Sequence, residues 1–178
     1  MSIALHMAED GDLPAIVALM NAAFRGTSGK QSRNVEAFIT GSRTTESLLR
    51  EEMSDGVQYL IAQEESTSAL QGCVSLEDLS GGRWHLGALT VDPALQSAGF
   101  GSRLLSSAEE YGVARGAGAM EITVVNVRDA LIAWYERRGY RLTGETRPFP
   151  YGDARFGTPT RDDLEFVVLE KRLGERER

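Results

Sequence analysis

The chain has 178 residues, 42% of them hydrophobic, which is enough for one domain with a buried core and too few for two. Its net charge of −7 disfavours sequence-independent binding to nucleic acid, where affinity rests on many Lys and Arg contacts to phosphate. A single cysteine, Cys73, and two histidines, His6 and His85, exclude an internal disulfide, a multi-cysteine zinc site and a histidine metal cluster. With no stretch apolar enough for a signal peptide or a bilayer span, a soluble cytoplasmic protein without membrane or metal is expected.

Ile3 to Met7 alternates and reads as a first strand. Asp10 or Asp12 can cap the helix that follows, with Pro14 in its first turn. Leu13, Ile16, Val17, Met20 and Phe24 form its apolar face, and Phe24-Arg25-Gly26 ends it. Thr27 to Arg43 is polar and glycine-bearing, with Val35, Phe38 and Ile39 as an apolar island: either a surface loop or a segment over a site. Thr44 or Thr45 caps a second helix carrying Leu48, Leu49 and Met53, with Glu46 in its first turn, where a carboxylate suits the dipole. Three strands follow, Val57 to Gln63, Ala69 to Leu76 and Arg83 to Val91, joined by polar turns into an antiparallel meander.

The third of these strands runs into Leu89-Thr90-Val91-Asp92-Pro93-Ala94-Leu95-Gln96-Ser97-Ala98-Gly99-Phe100-Gly101-Ser102. Pro93 ends the ladder because it has no N–H to donate, and Leu104, Leu105, Ala108 and Tyr111 then recur at helical spacing. Glycines at such a turn let the backbone bend sharply and a ligand approach closely. The first N–H groups of the helix are unpartnered and lie at the positive end of its dipole, so the turn suits a phosphate or pyrophosphate. The alternative is a turn that needs glycine for geometry alone. No third glycine completes Gly-x-Gly-x-x-Gly and no Gly-Lys-Ser/Thr is present, which excludes the dinucleotide and nucleotide-triphosphate cradles. Ala119 to Val125 alternates Met120, Ile122 and Val124 with Glu121 and Thr123, a strand that should run parallel to the one before the helix. A helix from Arg128 to Arg138 stops at Gly139, and Tyr140 to Arg147 and Leu164 to Lys171 are the last strands. The segment from Pro148 to Asp162 holds three of the five prolines together with Arg155 and Arg161, and reads as a long unstructured loop, functional or merely connecting.

Gln96-x-x-Gly99-x-Gly101 after Val91-Asp92-Pro93 resembles the pyrophosphate-binding motif of the GNAT superfamily of N-acyltransferases, Gln/Arg-x-x-Gly-x-Gly/Ala after a Val-x-Pro strand end. Asn126 and Trp134-Tyr135-Glu136-Arg137-Arg138-Gly139-Tyr140 resemble the family's aromatic-Tyr-x-x-x-Gly-aromatic signature. The resemblance implies a single domain over residues 1–178 with an α/β fold: a mixed central sheet of about seven strands, splayed at the cofactor cleft, and about four flanking helices. It implies acetyl-CoA as cofactor. The backbone of Leu89, Thr90 and Val91 would meet the pantetheine, the N–H groups of Gln96, Ser97, Ala98, Gly99, Phe100, Gly101 and Ser102 the pyrophosphate, and Asn126 the cofactor from the opposite strand. The activity implied is direct transfer, in a ternary complex, of the acetyl group to a primary amine of a small-molecule or amino-acid-like acceptor. Tyr135 occupies the family's general-acid position toward the departing thiolate. Glu77, somewhat ahead of His85, is the candidate base, and a water relay to neither is a third option. Phe24, Arg155 and Arg161 are expected around the acceptor, an arginine pairing with its carboxylate. A homodimer is compatible with this reading. The alternatives are a non-catalytic acyl-CoA-binding regulator of the same fold and an N-terminal protein or peptide acetyltransferase.

Overall fold

A computed structural model of the chain describes residues 3–26, 36–96, 99–153, 155 and 157–174. Strand β1 (His6–Met7) leads through a turn of 3-10 helix into α1 (Leu13–Arg25), which ends at Gly26 with φ 69°. Glycine reaches that conformation without the Cβ penalty, so the helix stops there. A two-residue β2 (Ile39–Thr40) precedes α2 (Glu46–Ser54), whose N-cap Thr45 accepts the Leu48 N–H at 3.2 Å. The meander is β3 (Gln58–Gln63), β4 (Leu70–Asp78) and β5 (Arg83–Val91). After α3 (Phe100–Val113) come β6 (Ala119–Val125), α4 (Asp129–Glu136), β7 (Arg141–Pro148), β8 (Thr158–Pro159) and β9 (Glu165–Arg172). No helix among the described residues is long and apolar enough to cross a membrane.

Seven strands form one sheet in the order β1-β3-β4-β5-β6-β9-β7, and β2 pairs β8 in a separate ribbon. The first strand is shorter than the alternation predicts, and residues 3–5 lie outside it. The 148–162 segment is not structureless: β8 docks on β2, Ile39 facing Pro159 and Thr40 facing Thr158. The segment from Thr27 to Val35 lies outside the described residues.

Strand periodicity sorts the side chains onto two faces. Leu60, Val74, Leu76, Trp84, Leu86, Met120, Ile122, Val124 and Leu169 share one core with Leu105 and Ala108 of α3 and with Tyr135 of α4. Tyr59, Ile61 and Cys73 face the other way, into a second core made with α1 and Leu49 of α2. Helices α3 and α4 therefore cover one face, and α1 and α2 the other. The residues between the first set, Ser75, Glu77, His85 and Glu121 among them, point toward the α1/α2 face.

The sheet is split. β5 pairs β6 in parallel at Arg83 with Ala119, Trp84 with Met120 and His85 with Glu121, and no further. Beyond that level β5 continues on β4 as far as Val91 opposite Gly72, while β6 continues on β9 as far as Val125 opposite Phe166. The backbone edges that the two strands turn toward each other are left without a partner strand.

Candidate active site

The gap between the parted strands widens into a cleft of about 1210 Å³. That lies above the roughly 300–1,000 Å³ of an ordinary small-ligand site, and leaves room for a long cofactor and a second substrate together. Its walls are β5 from Leu86 to Leu89 with Val91, and β6 from Ile122 to Val125. It reaches α3 through Gly99, Gly101 and Ser102, and α4 through Arg128, Trp134, Tyr135 and Arg138.

β5 is bulged within this wall. Cys73 faces Thr90 but Ser75 faces Gly87, so β5 carries one residue more than β4, and Ala88 takes φ 49°. A positive φ at a residue with a Cβ costs on the order of 1 kcal/mol, and such strain concentrates at functional sites. The Thr90 hydroxyl helps hold it, donating to the Ala88 carbonyl at 2.8 Å. Thr90 itself is fully buried and does not line the cleft.

At the α3 end, Gly99 is the N-cap at φ 70°, a conformation that favours glycine. Gly101 is different. A Cβ there would meet only Trp134 and Val91, at 3.6 and 3.8 Å, which is ordinary contact. The fold does not demand a glycine at 101, whereas a ligand lying against the helix start would. Arg138 stacks on Trp134, 3.7 Å from the ring centroid, and donates to the Ser102 hydroxyl at 3.3 Å, bringing a guanidinium to the same place. The Gln96 amide reaches the Val91 carbonyl at 3.4 Å. Phe100 turns its ring into the core beside Val91 and Leu104. Ser97 and Ala98 lie outside the described residues.

Tyr135 comes to the cleft from the α3/α4 face. Its ring is held edge-on by Trp134 at 5.0 Å and Tyr140 at 5.6 Å, and its hydroxyl has no hydrogen-bond partner among the described residues. Burial raises its pKa, against the opposing pull of Arg128 and Arg138.

His85 comes from the other face. Its Nδ1 lies 3.0 Å from Oε1 of Glu121. Glu121 is only 1% exposed and also receives both terminal nitrogens of Arg147, at 2.9 and 3.0 Å, and Arg83 at 2.8 Å. Burial raises its pKa, but hydrogen bonds from Arg147 and His85 outweigh that and hold the carboxyl below its usual range. A carboxylate on Nδ1 fixes the ring tautomer and leaves Nε2 to accept a proton. Glu77 sits in strand rather than in a turn, directly across the ladder from His85, and both line the cleft. Glu121, which alternates with the apolar residues of β6, is sequestered because two arginines and a histidine satisfy it.

Three expected contributors are not brought to the cleft. Asn126 donates to the Asp163 carbonyl at 3.0 Å and accepts from the Glu165 N–H at 3.2 Å, tying β6 to the start of β9. Arg155 is exposed and folded back on Asp153 and Glu51. Arg161 is exposed and paired with Asp163 at 2.5 Å. Each arginine takes a carboxylate two residues away, a signal that was present in the sequence. The 148–162 segment instead supplies Phe149 and Pro150, with Phe149 stacked on Phe166 at 5.6 Å. Phe24 lines the cleft.

Residues that the sequence did not single out are Arg25, Glu36, Arg43 and Arg128, all in the cleft wall. Arg128 carried a readable signal. It is the N-cap of α4, where a cation opposes the helix dipole, so helix stability does not explain it.

The fully buried Cys73 lies outside the cleft lining, and burial pushes its thiol up to about 12. It stays protonated at neutral pH and is no nucleophile.

A family model of the acetyltransferase (GNAT) family matches residues 18–140. Solved structures with the same fold include the ribosomal-protein-S18-alanine N-acetyltransferase from Escherichia coli, 15% identical over 98% of this chain and 96% of that one, with a TM-score of 0.68. An IAA acetyltransferase from Bacillus cereus is 14% identical over 97% of this chain and 100% of its own, TM-score 0.65. A GNAT family acetyltransferase from Elizabethkingia anophelis with acetyl-CoA bound is 15% identical over 97% and 99%, TM-score 0.66. No curated protein sequence matches significantly.

Proposed function

Because this chain belongs to the GNAT acetyltransferase family, we propose that it transfers an acetyl group from acetyl-CoA to the primary amine of a small, amino-acid-like acceptor, by direct attack with both substrates bound. The observation that carries the reading is the split between β5 and β6, which lets Tyr135 enter from one face and His85 from the other. Acetyl-CoA fits the residues present: unpartnered backbone edges for its amides, an open helix start with space at Gly101 for its pyrophosphate, and Arg138 for added charge. When bound it supplies an activated acetyl thioester.

The acceptor must present a neutral amine. At pH 7 this costs about 1 kcal/mol for an α-amine near pKa ~8 and roughly 4–5 kcal/mol for a lysine-like amine near ~10.4. His85 takes that proton on Nε2, and Glu121 on the far side of the ring stabilises the imidazolium. Glu77 beside it offers a carboxylate to the incoming ammonium. The bulge at Ala88 turns backbone N–H groups of β5 out of the ladder, where one can meet the charge growing on the carbonyl oxygen. Tyr135 donates to the sulfur as it leaves. With Cys73 buried and protonated, no acyl group need pass through the protein.

Screening primary amines with acetyl-CoA while following free-thiol release tests the proposal. Turnover on at least one small amine supports it. Tight acetyl-CoA binding with no turnover on any amine would instead favour a regulator, and acetylation of peptide N-termini alone a protein-directed enzyme.

A further inference from the structure

The cleft has a positively charged end that the transfer chemistry does not use. Arg25 closes α1. Arg43 is held nearby, its backbone N–H donating to Asn21 at 2.6 Å and its guanidinium lying over the Phe24 ring at 5.2 Å. Arg128 reaches the same region from the start of α4, its side chain only 12% exposed. Glu36 is the carboxylate between them. It is ion-paired to Arg25, and its second oxygen stands 3.8 Å from Arg128, beyond hydrogen-bond reach. Among the described residues the Arg128 guanidinium therefore donates no hydrogen bond, and Arg43 has neither a side-chain hydrogen bond nor a carboxylate within ion-pair distance. Glu52, the other acid at this end, takes the Tyr59 hydroxyl. Arg128 and Arg43 thus turn toward the cleft guanidinium donors that no described residue takes, and an anion there can accept them.

Arg25 and Arg43 belong to the α1/α2 face, the face from which His85 points, and opposite the glycine turn of α3. Rings of Phe24, Phe149 and Phe166 wall the same cleft. We propose, resting on the acetyltransferase reading, that Arg128 and Arg43 bind a carboxylate carried by the acceptor, and that the acceptor is an amino acid with an apolar side chain. Arginine suits the role because its fork matches the two carboxylate oxygens.

The test compares phenylalanine with phenylalaninamide and phenethylamine, and leucine with leucinamide and isoamylamine, by kcat/KM at saturating acetyl-CoA. The amide's amine, near ~8, is the more easily deprotonated, so a preference for the acid cannot come from amine basicity. The native protein should prefer the acids about ten- to a hundredfold, the range for losing a hydrogen bond to a charged group. Arg128→Gln and Arg43→Gln should each bring that ratio toward one while acetyl-CoA affinity by calorimetry is unchanged. The ratio is internal to each preparation, so partial misfolding does not move it. Equal use of acids and amides by the native protein, no acetylation of any acid by a protein that binds acetyl-CoA, or variants that keep the full ratio would each overturn the inference. Failure of the native protein to bind acetyl-CoA would overturn the acetyltransferase reading itself, and this inference with it.

Discussion

Tyr135→Phe is expected to lower activity while leaving stability nearly unchanged. The Tyr135 ring is 6% exposed and is gripped by Trp134 and Tyr140, and phenylalanine keeps both contacts. The hydroxyl it loses has no partner among the described residues. The hydroxyl opens onto the cleft and is not a buried unsatisfied group, so its removal should change stability by less than about 1 kcal/mol. Turnover should fall. Burial drives the hydroxyl pKa up, while the departing thiol is near ~8.5, so complete proton transfer runs uphill by more than about 2 kcal/mol. The hydroxyl acts as a hydrogen-bond donor to developing charge on sulfur, which places the loss at the low end of the general-acid range, about a hundredfold. Thermal unfolding and single-turnover acetyl transfer, under conditions where chemistry limits, measure the two halves. Full turnover in a folded variant would falsify the role. A destabilisation beyond about 1 kcal/mol would show that the hydroxyl has a structural partner.

Gly101→Glu should fold normally, since its Cβ meets only ordinary contacts and a carboxylate suits a helix start, yet weaken acetyl-CoA binding by roughly tenfold or more through like charge; unchanged calorimetric affinity would remove the glycine turn from the cofactor site. Glu121→Gln should destabilise the protein at pH 7 by about 1–3 kcal/mol, discounted because Arg83 and Arg147 are partly exposed and can turn to water. The folded pKa of Glu121 lies below its unfolded value near ~4.3, so its contribution is present above that pH and is lost as pH falls through the folded pKa; urea midpoints from pH 7 to 3.5 should converge for the two proteins, and parallel curves would refute the linkage. Arg155→Ala and Arg161→Ala should leave acceptor KM unchanged, because each side chain is turned to its own aspartate; a raised KM in either would return the loop arginines to the site.

Features decided by neighbours in sequence were legible. Gly26 and Gly139 as helix stops, Thr45 as a cap, the alternation of β6 and the glycine turn at 99 and 101 each depend on a few consecutive residues. What escaped depends on topology. Ile39 and Thr40 become a strand only because Pro159 and Thr158 arrive beside them. The burial of Glu121 depends on Arg83 and Arg147, which are distant along the chain and fold around it. Glu36, between α1 and β2, and Arg128, at the start of α4, are far apart in sequence and meet only in the folded chain. Asn126 followed a family pattern, while its own neighbours at Asp163 and Glu165 decided where its amide went.

A tear in a woven sheet spreads from its tip, and here the tip lies at His85 and Glu121. One side-chain stitch crosses four adjacent strands at that level: Arg83 of β5 to Glu121 of β6, Arg83 to Glu170 of β9 at 3.2 Å, and Glu121 to Arg147 of β7. Every ladder pair lost would run the tear about 3.3 Å further, and every pair gained would shorten it as much. Ionic thread therefore runs beside the last backbone pairs where the fabric stops parting, so a substitution in the stitch acts at the mouth of the opening as well as on the residues beside it.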